Sequence, residues 1–139
     1  MAFLGINYLA VVAAAVVGFA FGAVYYMSLS RPWLAAVGKT AEAVKGGFKP
    51  SPRPFITAAV AQLVMAFMLA GLMGHLGEGG VDASSGAIAG FFIWLGFVVT
   101  TMAVNHGFQG ARLSLTVIDG GHWLGVLLLQ GLVIGLIGL

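Results

Sequence analysis

The sequence predicts an all-α membrane protein: a four-transmembrane-helix bundle with a short amphipathic interfacial helix after helix 1. Three observations carry that prediction. Of 139 residues, 60% are hydrophobic and only 7% are charged, whereas an ordinary soluble domain is about 25% charged. The apolar residues gather in four runs, each long enough to supply the about 20 helical residues that a hydrocarbon core requires. The runs are continuous rather than alternating, which favours helices over barrel strands. A chain so poor in charge cannot clothe a water-facing surface, so the lipid bilayer is its natural solvent and first partner. The length leaves room for a single domain.

The first span is expected over residues 3–27. No basic residue precedes it and its positive charges follow it, which is the pattern of a retained helix rather than a cleaved leader. Ser30 then precedes Arg31-Pro32-Trp33, which reads as an N-cap with proline in the first helical turn. Trp33, Leu34, Val37, Ala41 and Val44 fall within about 100° at helical spacing, and Lys39, Glu42 and Lys45 lie opposite. Residues 32–45 are therefore expected to form the interfacial helix, with Trp33 as its anchor. Gly46-Gly47 ends it, and Lys49-Pro50-Ser51-Pro52-Arg53-Pro54 reads as an extended linker. The second span is expected over 55–76, the third over 85–106 and the fourth over 115–139. Gly77 to Asp82 and Gly107 to Ser114 are the loops between them.

Charge gives the orientation. The first loop holds Arg31, Lys39, Lys45, Lys49 and Arg53, and the third holds Arg112. The second loop carries only Glu78 and Asp82. The positive-inside rule places loops one and three in the cytoplasm, with both termini on the other side of the membrane. The net charge of +2 thus reports topology and not nucleic-acid binding. The absence of cysteine excludes disulfides, thiolate metal sites and cysteine nucleophiles.

Twenty-two glycines are present, many at spacing four inside spans: Gly18/Gly22, Gly86/Gly90, Gly121/Gly125 and Gly131/Gly135. Small residues let helix backbones approach closely in lipid, where no hydrophobic force pulls helices together. On the fourth span Gly121, Gly125, Gly131, Gly135 and Gly138 are expected to share one face, and Asp119, His122, Trp123 and Gln130 the other. One face would serve the bundle and the other a neighbouring subunit, so a homo-oligomer is expected.

Polar residues concentrate at the cytoplasmic end. Tyr25 and Tyr26 close the first span, Asn105 and His106 close the third, and Asp119 and His122 open the fourth. These six form the candidate ligand-binding layer, because polar groups within spans tend to face protein or water. On the third span Trp94, Val98, Thr101, Asn105 and Gln109 fall on one stripe, with His106 at its margin. The second span adds Gln62 several turns in and Thr57 closer to that end. Asp119 and His122, three residues apart, are neighbours on one helical surface, where a carboxylate could orient an imidazole. With His106 they offer three groups for proton transfer or metal ligation. Against an enzyme stand the lack of any recognised metal spacing or nucleophile motif and the small number of titratable groups. No cofactor or bound metal is expected. A purely structural alternative places Asp119 at the N-terminus of the last helix, held by free backbone N–H groups. The middle of the first and fourth spans reads as apolar, which argues against a transporter. His75 adjoins the outer loop and reads as interfacial.

Gly22-Ala23-Val24-Tyr25-Tyr26-Met27-Ser28 followed by Arg31-Pro32-Trp33, and later Ile118-Asp119-Gly120-Gly121-His122, resemble the motifs of an uncharacterised bacterial membrane family catalogued as domain of unknown function 1761. The likeness extends over essentially the whole chain. It departs at Tyr25, where members more often carry Trp, and at Ser28–Arg31, which is more polar than usual. The resemblance implies a small multi-helix inner-membrane protein and brings no catalytic residues with it. Small multidrug-resistance transporters share only size and helix count, and the glutamate they use in their first helix is absent here. The expectation is a non-enzymatic homo-oligomer that binds or passes a small solute. Its alternatives are a subunit of a membrane assembly, or a membrane enzyme or cofactor binder built on the His/Asp layer.

Overall fold

The computed structural model describes residues 3–38, 51–77 and 80–139. Among these residues the chain forms five helices: α1 (Tyr8–Ser28), α2 (Ser30–Val37), α3 (Arg53–His75), α4 (Ala83–Phe108) and α5 (Leu113–Ile137). All but α2 are long and apolar enough to cross a membrane. The predicted fold class and its four spans are therefore present. The ends of the helices differ from the sequence-based expectation, and each difference has a local cause.

The first span starts at Tyr8, not at residue 3, because Asn7 caps it. Its side-chain oxygen accepts from the backbone N–H groups of Leu9 and Ala10, at 3.1 and 3.3 Å, satisfying donors that a helix start leaves free. Gly5, at φ +90°, turns the preceding segment so that Phe3 packs over Gly71 and stacks on Phe67 with ring centroids 5.3 Å apart. The third span begins two residues earlier than expected because Asp82 is its N-cap rather than a loop residue. Asp82 accepts from the Ser85 N–H at 2.7 Å, and Ser85 Oγ accepts from the Asp82 N–H at 2.9 Å, a reciprocal capping box. Hydrogen bonding by the Ser85 backbone, the largest cause, holds the Asp82 carboxyl below its ordinary value of 3.8.

Ser30 is not the cap expected of it. It is the first residue of α2, the break from α1 falls at Leu29, and no side chain caps that helix. Nor does α2 run unbroken to residue 45: Gly38, at φ +79°, closes it after Val37 by donating to the carbonyls of Leu34 and Ala35. The remainder of the predicted interfacial helix and most of the linker, residues 39–50, lie outside the described residues. At the linker's end Pro52 is helical rather than extended and starts α3.

The bundle is held by small residues. Ala14, Ala15, Ala66, Ala70 and Ala89 line a core with Leu69, Met73 and Ile134, all of them buried. Gly86 and Gly90 on α4 meet α5 backbone to backbone: a Cβ at Gly86 would collide with the Gly131 carbonyl, and one at Gly90 with that of Leu127. Gly135 stands likewise against the Asp82 carbonyl. Gly121 and Gly125 instead face α1, where Tyr25 and Phe21 occupy the space of their missing side chains. This corrects the single glycine face expected on the last span. Ten residues at about 100° each rotate Gly131 by roughly 80° from Gly121, so the glycines serve two different neighbours within one chain. His122 and Gln130 pack on α1 as well.

Candidate functional site

Two polar clusters lie inside the bundle. The first sits at the basic end, where α1 finishes and α5 begins. The Tyr26 hydroxyl donates to Asp119 Oδ1 at 2.7 Å, and the Tyr25 hydroxyl donates to the Ile118 carbonyl at 2.7 Å. From the other side of α5, Trp94 Nε1 donates to the Gly120 carbonyl at 2.8 Å. Three side chains thus fasten three consecutive residues of α5.

His122 is the centre of this cluster. It is only 6% exposed, and its ring is enclosed by Trp123, Tyr26, Tyr25 and Phe21, with centroids 4.5, 4.8, 5.7 and 6.2 Å away. Gly22 makes this possible: a Cβ there would lie 2.7 Å from His122 Nε2. The other ring nitrogen, Nδ1, is buried without a hydrogen-bond partner. An unmet polar atom in such a place costs about 1–3 kcal/mol, and most buried polar atoms in folded proteins avoid that cost.

Asp119 is not at the N-terminus of α5, as the structural alternative required. The helix starts at Leu113 with Arg112 as its cap, which puts Asp119 beyond the free N–H groups of the first turn. Trp33 folds back on the same cluster, half-buried and edge-on to Tyr26 at 6.3 Å. Arg112 holds α2 there by donating from Nη1 to the Ala35 carbonyl at 2.6 Å, as a cation at a helix C-terminus should.

Asn105 and His106 do not join the cluster. His106 Nδ1 shares a hydrogen bond of 2.9 Å with Thr116 Oγ1, one turn of α5 before Asp119, and Asn105 is exposed. Among the described residues no group of three or more His, Cys, Asp or Glu is placed to hold a metal, so His106, Asp119 and His122 do not form a ligand trio. Asn105 is turned away by a π-helical turn at Trp94–Val98, where the Val99 N–H bonds back to the Trp94 carbonyl. Such a turn inserts one residue and rotates everything after it by about 100°. Trp94 therefore faces α5, whereas Thr101 and Asn105, expected on its stripe, face outward. The outward threonines satisfy themselves: Thr101 Oγ1 donates to the Phe97 carbonyl at 2.6 Å.

The second cluster lies deeper. Gln130 Nε2 donates to Gln62 Oε1 at 2.6 Å and to the Gln62 carbonyl at 3.2 Å, joining α5 to α3. Both residues are buried, at 0% and 3% exposure. Gly18 seats them, since a Cβ there would lie 3.2 Å from Gln130 Nε2. The middle of the bundle is therefore not wholly apolar, contrary to the sequence reading. In the sequence Gln62 and Gln130 fall on separate helices with nothing to link them. The signal available was that an amide inside a span must find a partner.

A family model described as protein of unknown function (DUF1761) matches residues 9–135, nearly the whole of the chain that builds both clusters. The chain belongs to that family. No curated protein and no solved structure matches it. Every residue of the two clusters in this DUF1761 member, from Gly18 on α1 to Gln130 on α5, falls inside the matched region.

Proposed function

We propose that this DUF1761 member is a non-enzymatic binding protein of the bacterial inner membrane, which takes a small polar solute at the His122 cluster. The observation that carries the reading is the buried, unpartnered Nδ1 of His122, enclosed by aromatic rings and next to an Asp119–Tyr26 pair. A ligand group that hydrogen-bonds Nδ1 would recover the desolvation cost of that nitrogen. Binding is favoured over passage because Phe21 fills the space beside Gly125, between the His122 and Gln130 levels of α5. The basic residues Arg31, Arg53 and Arg112 support an orientation with this end of the bundle on the cytoplasmic side and both termini on the other. The glycines at the helix contacts, from Gly18 to Gly135, are occupied within the chain, so a homo-oligomer would form elsewhere. Contact would then fall to the outward side of α4, where Phe97, Thr101 and Asn105 are exposed.

The test uses purified protein in mild detergent and a chemically varied panel of small polar solutes. Trp123 borders His122, so intrinsic fluorescence reports the site directly. At least one solute class should shift the fluorescence and raise the thermal midpoint of the wild type, and His122→Phe should remove both responses while keeping its fold. A panel without any response, or a His122→Phe variant that responds as the wild type does, would rule the reading out.

A further inference from the structure

A groove runs between α1 and α3 on the lipid-facing side of the bundle. It is open along one side, has a volume of about 410 Å³ and is lined by Val12, Ala15, Val16, Phe19 and Leu63, with Gln62 among its walls. That volume lies within the range of about 300–1,000 Å³ of small-molecule sites. We propose that this groove is a lateral binding site for an uncharged, lipid-soluble carbonyl compound of the quinone type, hydrogen-bonded by Gln62.

Depth decides the class of ligand. Gln62 lies nine residues into α3, about 14 Å along its axis, and Gly18, which seats the Gln pair, lies midway along α1. Both put the amides near the centre of a hydrocarbon core about 30 Å thick. A charged or water-soluble molecule does not reside there. The ester carbonyl of a bulk phospholipid is held at the edge of the core by its charged headgroup, so it does not reach Gln62. An uncharged ring carrying its own carbonyls does, and it can arrive sideways through the lipid.

Hydrogen-bonding capacity agrees. Both hydrogen bonds of the pair are donated by Gln130 Nε2, so the pair leaves the two N–H groups of the Gln62 amide unused. A carbonyl oxygen is the acceptor that matches them. Phe19, beside Gln62 in the groove wall, offers a ring face to a flat ligand. This site lies apart from His122, and it stands whether or not a polar solute binds at the basic end.

The experiment titrates a benzoquinone with a decyl tail into the full chain in lipid nanodiscs and reads thermal midpoint and bound ligand after separation. Hexadecane and methyl palmitate serve as comparison arms. The quinone should bind and raise the midpoint. Ala20 also lines the groove, and Ala20→Phe, which fills it, should abolish binding. The double variant Gln62→Leu/Gln130→Leu, which leaves no amide unpaired, should weaken binding by about tenfold. Hexadecane and methyl palmitate should leave the midpoint unchanged. No quinone binding to the wild type, equal binding to either variant, or an equal effect from hexadecane or methyl palmitate would each overturn the proposal.

Discussion

The two polar layers of this bundle are built on the same plan and finished differently. Each places a polar side chain of α5 against a glycine of α1: His122 on Gly22 and Gln130 on Gly18. The deep layer pairs amide with amide across α3 and α5. The layer at the basic end pairs Tyr26 with Asp119 but leaves His122 Nδ1 without a partner. Asp119 and Gln130 are eleven residues apart, about 16 Å along α5. With the amides near the midplane, the carboxylate lies at the edge of a 30 Å core, where water and headgroups begin. Each layer leaves one buried polar atom unmet, Gln130 Oε1 in the deep one and His122 Nδ1 at the basic end; the difference is that the deep layer is made of neutral amides alone, whereas nearer the surface the fold keeps a carboxylate and an imidazole.

The comparison can be broken most sharply at its glycines. Gly22→Ala should be the most damaging of the changes considered, because its Cβ would press on a ring nitrogen enclosed by four aromatic side chains; a loss of about 2–3 kcal/mol is expected. Gly18→Ala should cost less, since it meets the far ends of two glutamines that can turn aside. Thermal unfolding of the two variants in one detergent checks the order, and the reverse order would mean that the deep layer is the more rigid. Next in size, Gln130→Leu should cost about 1–2 kcal/mol by stranding Gln62 in an apolar surround. The double variant Gln62→Leu/Gln130→Leu should recover part of that loss, read as a coupling energy in a double-mutant cycle.

At the basic end, Tyr26→Phe removes the hydroxyl bonded to Asp119 and should cost about 1 kcal/mol. Tyr25→Phe, which frees a backbone carbonyl already inside a helix, should cost no more. A larger loss at Tyr25 would show that the fastening of Ile118 matters more than the carboxylate pair. The smallest effect belongs to Asp82, outside both layers. Its folded carboxyl is held below the ordinary value of 3.8 by the Ser85 N–H. The stabilisation from its cap is therefore fully present above that value and is lost as pH falls through the lower, folded one. The difference in thermal midpoint between wild type and Asp82→Ala should stay constant from neutral pH down to the ordinary carboxylate range and shrink below it.

Much of the architecture was legible before the fold was known. The four spans, the break near Gly77 and the concentration of Tyr25, Tyr26, Asp119 and His122 at one end all follow from hydropathy and from where polar residues fall. Helix ends were less legible where one side chain decided them, as Asn7 and Asp82 did. The third span misled for a stronger reason. A regular helix carries Trp94, Thr101 and Asn105 on one stripe, and the π turn at Trp94–Val98 turns the last two away from α5. Nothing in the run Trp94-Leu95-Gly96-Phe97-Val98 announces an inserted residue, although Trp94 at its start bonds the Gly120 carbonyl across the helix interface.

By itself, the sequence determined that the chain spans a membrane four times and that its polar groups favour one end. Those are sums over about twenty residues of transfer free energy, and they belong to each segment alone. Only the tertiary structure decided which polar groups meet: Tyr26 with Asp119, Gln62 with Gln130, and His122 Nδ1 with none. Pairing depends on how each helix is rotated about its axis. That rotation is fixed by backbone contacts at Gly86, Gly131 and Gly135 and by one π turn, between residues distant in sequence.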